Sequence, residues 1–128
     1  MSLRRPTDLI PLTHVVYHVL LSLSLRARHG YGIIKDVEAR TGGRLELEAG
    51  TLYAAIKRLC DDGLIAAAAA PEGTDSRRRY YALTEFGRSV LRAESERLAE
   101  LVGYARDASI LASPRRPGSA GRPRRGEA

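Results

Sequence analysis

Residues 50–84 have the sequence GTLYAAIKRLCDDGLIAAAAAPEGTDSRRRYYALT, and this stretch decides the fold. Its first part carries apolar residues three or four positions apart, the spacing of a helix that buries one face: Leu52, Ile56 and Leu59. We therefore predict an amphipathic helix over residues 50–62, which Gly63 ends.

A β-hairpin is predicted directly after this helix. Residues 71–76 contain Pro, Gly, Thr, Asp and Ser, which favour turns. They separate an apolar pair at residues 64–65 from residues 78–83, which alternate with a period of two. The alanine run at residues 66–70 is ambiguous, because alanine favours a helix whereas a place just before the turn favours a strand edge.

Two helices precede this stretch and one follows it, at residues 13–26, 31–40 and 85–112. Thr13 and Thr84 stand at the starts of the first and last of these helices, where a hydroxyl can cap free backbone N–H groups. Gly42 and Gly43 end the second helix, as residues that tolerate a left-handed backbone commonly do.

The order of these elements predicts the fold class. Three helices followed by a hairpin are the order of a winged helix-turn-helix, so we expect a mainly α protein with a small β-hairpin and a long C-terminal helix. The predicted parts are an N-terminal arm at residues 1–12, a winged helix-turn-helix domain at 13–84, a dimerisation helix at 85–112 and an Arg/Pro/Gly-rich tail at 113–128. The tail cannot bury a core, and we predict that it is disordered.

The charge of the chain favours a polyanionic partner. The formal net charge is +6, but residues 113–128 hold five arginines and one glutamate, so the rest of the chain is nearly balanced. Its basic residues must therefore be clustered if it binds nucleic acid.

Cellular location is inferred from one cysteine and one apolar run. The single Cys60 excludes an internal disulfide and fits a reducing cytoplasm. Residues 15–25 resemble a short signal peptide, but the run is too short to span a bilayer and contains His18. We interpret it as a buried helix and expect a cytoplasmic protein with no membrane partner. A secreted protein is the alternative.

The outer face of the helix at residues 50–62 carries side chains suited to DNA: Thr51, Tyr53, Ala54, Lys57 and Arg58. Its two hydroxyls can bond phosphate oxygens, and its two cations can neutralise phosphates or bind guanine edges in a major groove. The small alanine lets the backbone approach the bases. The alternative is an ordinary amphipathic helix with a solvated outer face, and Asp61 and Asp62 oppose contact with DNA.

Three consecutive arginines, Arg77, Arg78 and Arg79, lie beside the predicted hairpin turn. Such a cluster can straddle a phosphate ridge or enter a narrow minor groove, where the negative potential is enhanced. The alternative is a solubilising loop. Because the domain has few other basic clusters, we favour the DNA-binding interpretation.

The chain resembles the PadR family of bacterial regulators over about residues 12–105. The resemblance rests on short motifs in a fixed order: His29-Gly30-Tyr31, Gly50-Thr51-Leu52-Tyr53, Leu59 through Gly63-Leu64-Ile65, and Arg79-Tyr80-Tyr81-Ala82-Leu83-Thr84 followed by Gly87. It implies a winged helix-turn-helix, a C-terminal dimerisation helix and repression of a nearby promoter. It also places Thr51, Tyr53 and Lys57 on the recognition helix and Arg78 and Arg79 on the wing.

The sequence departs from the family pattern at the start of the recognition helix. Glu48-Ala49 replaces a common Ser-Pro, and alanine stands at position 54 where proline is common. An acidic Glu48 beside the recognition helix weakens the expectation of DNA contacts there, unless its carboxylate caps the helix.

The motif at residues 29–31 has its own expectations. Gly30 is expected to form a turn that no side chain would tolerate, and Tyr31 to pack between the first two helices. His29 either contacts a phosphate or caps the C-terminal end of the first helix.

The last helix carries a weak heptad of apolar and small residues: Leu91, Leu98, Leu101, Ala105 and Ala108. One short domain cannot cover so long a stripe, so we predict pairing with a second chain. The two recognition helices of a homodimer would then lie about 34 Å apart. The resemblance also suggests a small-molecule effector between the dimer helices, with Tyr17, Phe86 and Tyr104 as the candidate aromatic contacts.

The remaining candidate sites favour no enzyme. His14 and His18 are four residues apart but lack a third ligand, and Cys60 is expected to be a small core residue. We therefore predict no catalytic residues, no metal and no cofactor. The predicted function is a sequence-specific DNA-binding regulator, a ligand-responsive repressor acting as a homodimer. The alternative is a winged-helix module that binds protein.

Overall fold

Three α-helices precede the hairpin and one follows it, as predicted. The computed structural model describes residues 4–74 and 77–114. Within that part of the chain the helices are α1 (His14–Leu25), α2 (Gly30–Thr41), α3 (Ala49–Asp61) and α4 (Glu85–Asp107), and the strands are β1 (Arg28–His29), β2 (Ile65–Ala68) and β3 (Tyr80–Leu83). The disorder predicted for residues 113–128 lies outside the described residues from 115 onward.

The chain divides into two compact units, Met1–Glu96 and Arg97–Ala128. The first contains the winged helix-turn-helix elements and the beginning of α4, and the second contains the rest of α4. Among the described residues, no helix combines the length and the apolar character that crossing a membrane requires.

The predicted capping residues are present at the start of α1 and at the end of α2. Thr13 accepts a hydrogen bond on its side-chain oxygen from the Val16 N–H at 3.1 Å and so begins α1. Gly42 adopts a left-handed backbone with φ of 62° and ends α2, and the Gly43 N–H donates to the Glu38 carbonyl at 2.9 Å. Local residue chemistry therefore fixes both helix boundaries.

The sheet has three strands in the order β1-β3-β2, and both pairings are antiparallel. Strand β2 pairs with β3 from Ile65 opposite Leu83 to Ala68 opposite Tyr80, so the alanine run is a strand as far as residue 68. Strand β1 was not predicted, because it has only two residues and forms by pairing with the start of β3.

The core of the first unit lies between the three helices and the sheet, and α4 closes it. Its members are mainly aliphatic: Val19, Leu20, Leu23, Ile33, Val37, Leu47, Leu52, Ile56, Leu59, Leu64, Ile65, Tyr81, Val90 and Leu91. Because Leu91 is buried here, it is not free to face a second chain in this structure. Leu91, which the heptad spacing predicts at the dimer surface, therefore packs within its own chain.

A close backbone approach joins the start of α4 to the start of the hairpin. The Thr84 hydroxyl accepts a hydrogen bond from the Gly87 N–H at 2.9 Å and donates to the carbonyls of Gly63 and Leu64 at 2.6 and 3.1 Å. A methyl group on Gly87 would lie 1.9 Å from the Leu64 carbonyl oxygen. Only glycine fits at this position without displacing the backbone.

The N-terminal arm packs on the domain. It contains a short 3-10 helix, Pro6–Leu9. Arg4 donates to the Asp62 carbonyl, and its guanidinium lies 5.2 Å from the centre of the Phe86 ring. The Leu12 N–H donates to the carboxylate of buried Glu94 at 2.8 Å, which ties the arm to α4.

Candidate nucleic-acid interface

Helix α3 presents the predicted polar face to solvent. Its inner residues Leu52, Ile56 and Leu59 are buried. The side chains predicted to contact DNA are all exposed: Thr51, Tyr53, Ala54, Lys57 and Arg58. The amphipathic spacing therefore identified correctly which side of α3 is available to a partner.

The acidic residues at the end of α3 are engaged within the chain. Lys57 forms an ion pair with Asp61 at 3.2 Å, one helical turn away. Asp62 is paired with Arg4 of the N-terminal arm at 3.8 Å. Asp61 therefore partly neutralises the Lys57 cation, whereas Asp62 is compensated by the arm.

Glu48 does not provide the cap considered for it. It is the N-cap residue of α3, but its side chain makes no capping hydrogen bond. The interpretation of Glu48 as a side-chain cap is therefore wrong. Its negative charge still lies near the positive end of the α3 dipole, where it is favourable.

The predicted residues of α3 lie on two flanks of the helix. Thr51, Ala54 and Arg58 line a shallow depression of about 320 Å³. Ala55 of the same helix and three residues at the start of α1 complete its lining: Thr13, Val15 and Val16. On the other flank Tyr53 approaches the start of α2, where a methyl group on Gly30 would lie 2.4 Å from the Tyr53 hydroxyl oxygen. Gly30 does not have a positive φ, which corrects the turn expected for this residue, and a methyl group there would require the Tyr53 side chain to move.

The motif at residues 29–31 differs from expectation at its other two positions as well. His29 caps the start of α2 and not the end of α1, since its Nδ1 accepts from the Gly32 N–H at 3.0 Å. Tyr31 is 54% exposed and does not pack between α1 and α2. It stacks on the His29 ring, with centroids 6.4 Å apart.

Two cations lie over the exposed Tyr31 ring. Lys35 of α2 is 5.6 Å from the ring centre, and Arg78 of the wing is 5.8 Å from it. The phenol of Tyr31 and then the carboxylate of Glu38 raise the pKa of Lys35 above its ordinary value. Lys35 was not predicted as part of the basic surface, although its position four residues after Tyr31 on one helix places the two side chains on the same face.

The wing arginines have different environments. All three are exposed, and they lie before β3, since that strand begins at Tyr80. Arg78 is 3.3 Å from Nδ1 of His29. Arg79 makes no hydrogen bond or ion pair with any residue in the described part of the chain. The hairpin turn at Gly73 has a φ of 84°, a conformation that favours glycine.

The recognition helix and the wing are joined through the start of α2. Tyr53 of α3 touches Gly30, and the preceding residue, His29, contacts Arg78 of the wing. We call this chain of contacts, Tyr53–Gly30–His29–Arg78, the helix–wing junction. It places an exposed helix with hydroxyl and basic groups beside an arginine-bearing hairpin.

The predicted dimer and effector residues have separate environments. In the second unit, Leu101 and Tyr104 are exposed on α4, while Leu98 and Ala105 are half-buried. Ala108 is exposed just after α4, which ends at Asp107 and not at the predicted residue 112. In the first unit, the Tyr17 hydroxyl is 2.8 Å from the Ser95 hydroxyl, and Phe86 lies under the Arg4 guanidinium. Tyr17 and Phe86 are thus already engaged within their own domain.

The candidate redox and metal residues have ordinary surroundings. Cys60 is half-buried, and burial followed by the nearby Asp61 carboxylate raises the pKa of its thiol. The His14 and His18 rings meet edge to face with centroids 4.9 Å apart. In the part of the chain that the structure describes, no three His, Cys, Asp or Glu side chains are grouped to hold a metal ion.

The fold and the exposed basic surface define a winged helix-turn-helix protein of the DNA-binding class. The model of the Transcriptional regulator PadR-like family matches residues 19–93. The chain therefore belongs to the PadR-like family of transcriptional regulators, and it is a DNA-binding regulator.

Several known proteins are similar to this chain in sequence or in fold. A transcriptional regulator from Clostridium thermocellum is 26% identical with a TM-score of 0.62, over 77% of this chain and 91% of the other. A PadR family transcription regulator from Clostridium difficile has the same fold, with 24% identity and a TM-score of 0.63, over 76% of this chain and 99% of the other. An uncharacterised protein of Lysinibacillus sphaericus is 31% identical over 74 residues, which are 57% of this chain and 68% of that protein.

Proposed function

We propose that this protein is a sequence-specific transcriptional repressor that binds duplex DNA as a homodimer in the cytoplasm. Helix α3 would enter the major groove, with Lys57 and Arg58 toward phosphates or guanine edges and Thr51, Tyr53 and Ala54 toward the backbone and bases. The wing would place Arg77, Arg78 and Arg79 along the adjacent minor groove. The observation that carries the proposal is the helix–wing junction, because it brings both predicted DNA-binding elements to one side of the domain.

Lys57 and Arg79 are exposed cations on the side of the domain that carries α3 and the wing. Lys57→Ala and Arg79→Ala should each weaken binding to DNA from upstream of the protein's own coding sequence. Each change removes a cation that would neutralise one DNA phosphate on binding. Each variant should also reduce the slope of log affinity against log salt concentration by about 1. Fluorescence anisotropy of a labelled duplex across a salt series measures both quantities.

Two further variants control this experiment. Arg44→Ala removes an exposed arginine that follows the C-terminal end of α2, whereas the helix–wing junction lies at the start of α2. The DNA affinity and salt slope of this variant should equal those of the wild type. Asp61→Asn removes the partner that holds Lys57 and should strengthen binding. Unchanged affinity in Lys57→Ala and Arg79→Ala alike would contradict the proposed DNA-binding surface.

The homodimer would use the part of α4 in the second unit. Leu98, Leu101 and Ala105 follow one another at intervals of three and four residues, so they form a stripe along one side of the helix, and Ala108 follows just after the helix ends. Leu101 and Tyr104 leave apolar area exposed at 47% and 59%, and the alanines allow a second helix to approach closely.

The second prediction tests that stripe. Ala105→Asp should convert the dimer into a monomer, because a carboxylate buried between two helices without a partner costs about 3 kcal/mol, or roughly 100-fold in affinity. Light scattering after size exclusion should give the chain mass of 14.0 kDa for this variant and twice that mass for the wild type. Ala99→Asp, an exposed alanine on the opposite side of α4, should remain dimeric. A dimeric Ala105→Asp variant would rule the stripe out as the interface.

The proposal includes control by a small-molecule effector that binds between paired α4 helices. Tyr104 is the candidate contact with the most exposed ring, whereas Tyr17 and Phe86 would have to give up contacts within the first unit to bind a ligand. A ligand bound there would act by changing the separation of the two recognition helices, which sets the spacing of DNA half-sites.

A further inference from the structure

His29 is held in one orientation by contacts with two elements. Its Nδ1 caps α2 by accepting from the Gly32 N–H at 3.0 Å. Its ring stacks on Tyr31 of α2 with planes 10° from parallel, and it meets the Tyr80 ring of β3 edge to face at a centroid distance of 5.1 Å. The imidazole is therefore a fixed surface between α2 and the sheet.

Arg78 lies against this fixed surface. Its Nη1 is 3.3 Å from Nδ1 and 3.5 Å from Nε2 of His29, and its guanidinium lies over the Tyr31 ring. A long side chain that is free in solution loses rotamer entropy when it binds a partner. Because the Arg78 side chain is already held in the protein without DNA, it loses less rotamer entropy when DNA binds.

We propose that His29 is a positioning residue for DNA binding, which orients Arg78 of the wing toward a DNA phosphate and fixes the wing relative to α3. This inference rests on the proposed function. The link to α3 is Gly30, which follows His29 and is in contact range of the Tyr53 hydroxyl. In the dipeptide His29-Gly30, the histidine therefore contacts Arg78 and the glycine leaves room for the Tyr53 hydroxyl.

Arg79 provides the internal comparison. It is exposed like Arg78 and adjacent in sequence, but neither His29 nor any other described side chain holds it. A change at His29 should therefore alter what Arg78 contributes to DNA binding and leave the contribution of Arg79 unchanged.

A double-mutant cycle tests this role. In His29→Ser the serine still caps α2, but it is too short to reach Arg78 or to stack on Tyr31. His29→Ser and Arg78→Ala should each lower DNA affinity about fivefold. The double variant should also lose about fivefold, because the contribution of Arg78 to binding depends on its contact with His29. His29→Ser combined with Arg79→Ala should instead lose the product of the two single effects. The thermal midpoint of each variant, measured by circular dichroism, should stay near that of the wild type.

Hydroxyl-radical footprinting on the same duplex adds a readout that a purely structural role would not produce. In His29→Ser, protection at the flank contacted by the wing should weaken while protection by α3 persists. Multiplicative losses for His29→Ser and Arg78→Ala, wild-type affinity in His29→Ser, or uniform loss of protection with a lowered thermal midpoint would each overturn the positioning role alone. A wild-type protein without specific DNA binding would overturn the proposed function together with this role.

Discussion

Replacing Gly87 by alanine should destabilise the first unit by about 3 kcal/mol, at the upper end of the usual cost of overpacking a buried site. The new methyl group would lie 1.9 Å from the oxygen, 2.8 Å from the carbon and 3.1 Å from the Cα of Leu64. These are backbone atoms, so no side-chain rotation relieves the clash. The Leu64 carbonyl also accepts from the Thr84 N–H at 3.1 Å, and displacing it would weaken that bond.

Urea unfolding followed by circular dichroism measures the effect, and α4 supplies its own control. Gly103 lies on the same helix, and a methyl group there meets nothing within 4 Å. Gly103→Ala should raise stability by as much as about 1 kcal/mol, since alanine is the better helix former. If Gly87→Ala were as stable as the wild type, the close approach of α4 to Leu64 would be wrong.

Replacing Asp36 by alanine should also lower the free energy of unfolding by about 3 kcal/mol, for a different reason. Asp36 accepts from the Ser22 hydroxyl at 2.6 Å, pairs with Arg28 at 3.4 Å and forms a second ion pair with Arg40. The Arg28 side chain is 12% exposed and that of Asp36 is 20% exposed, so little solvent screens the network. Without the carboxylate, the Arg28 guanidinium would stay largely buried without its ion-pair partner, and breaking a buried pair costs about 3–5 kcal/mol.

Glu38 on the same helix is the matched control. Its ion pair with Lys35 has both side chains 56% exposed, so Glu38→Ala should leave stability nearly unchanged. Chemical denaturation of both variants gives the comparison. Equal stability of Asp36→Ala and Glu38→Ala would show that the network joining α1, β1 and α2 contributes little.

The Asp36 network also affects a nearby histidine. Arg40 is 3.1 Å from Nδ1 of His18. Burial, followed by His14 and Arg40, lowers the pKa of His18. The folded state therefore binds a proton at His18 less readily than the unfolded state, so the contribution of His18 to stability falls as the pH drops below the ordinary histidine value of about 6.5.

The four helices and most of their ends could be predicted because their signals are local, whereas α4 ends at Asp107 and not at the predicted residue 112. Thr13 caps the turn that follows it, and Gly42 supplies the left-handed residue that ends α2. The buried face of α3 was equally predictable, since Leu52, Ile56 and Leu59 are placed by helical periodicity alone. None of these features needs information about a distant part of the chain.

Features that depend on distant contacts could not be predicted. Strand β1 has two residues and exists because β3 lies beside it. Leu91 and Leu98 are equivalent in heptad spacing, but only Leu91 falls within the core of the first unit. Tyr31 looks like a core aromatic in sequence, yet its ring lies with His29 and Arg78 at the surface.

The arm residue Arg4 has a practical consequence for how this protein is purified. Its side chain is tethered to Asp62, the residue that ends the recognition helix, and to Phe86. A tag or fusion partner that displaced Arg4 would therefore leave the Asp62 carboxylate uncompensated beside the recognition helix. Cleaving such a tag before titrations would keep this added negative charge from being mistaken for weak affinity.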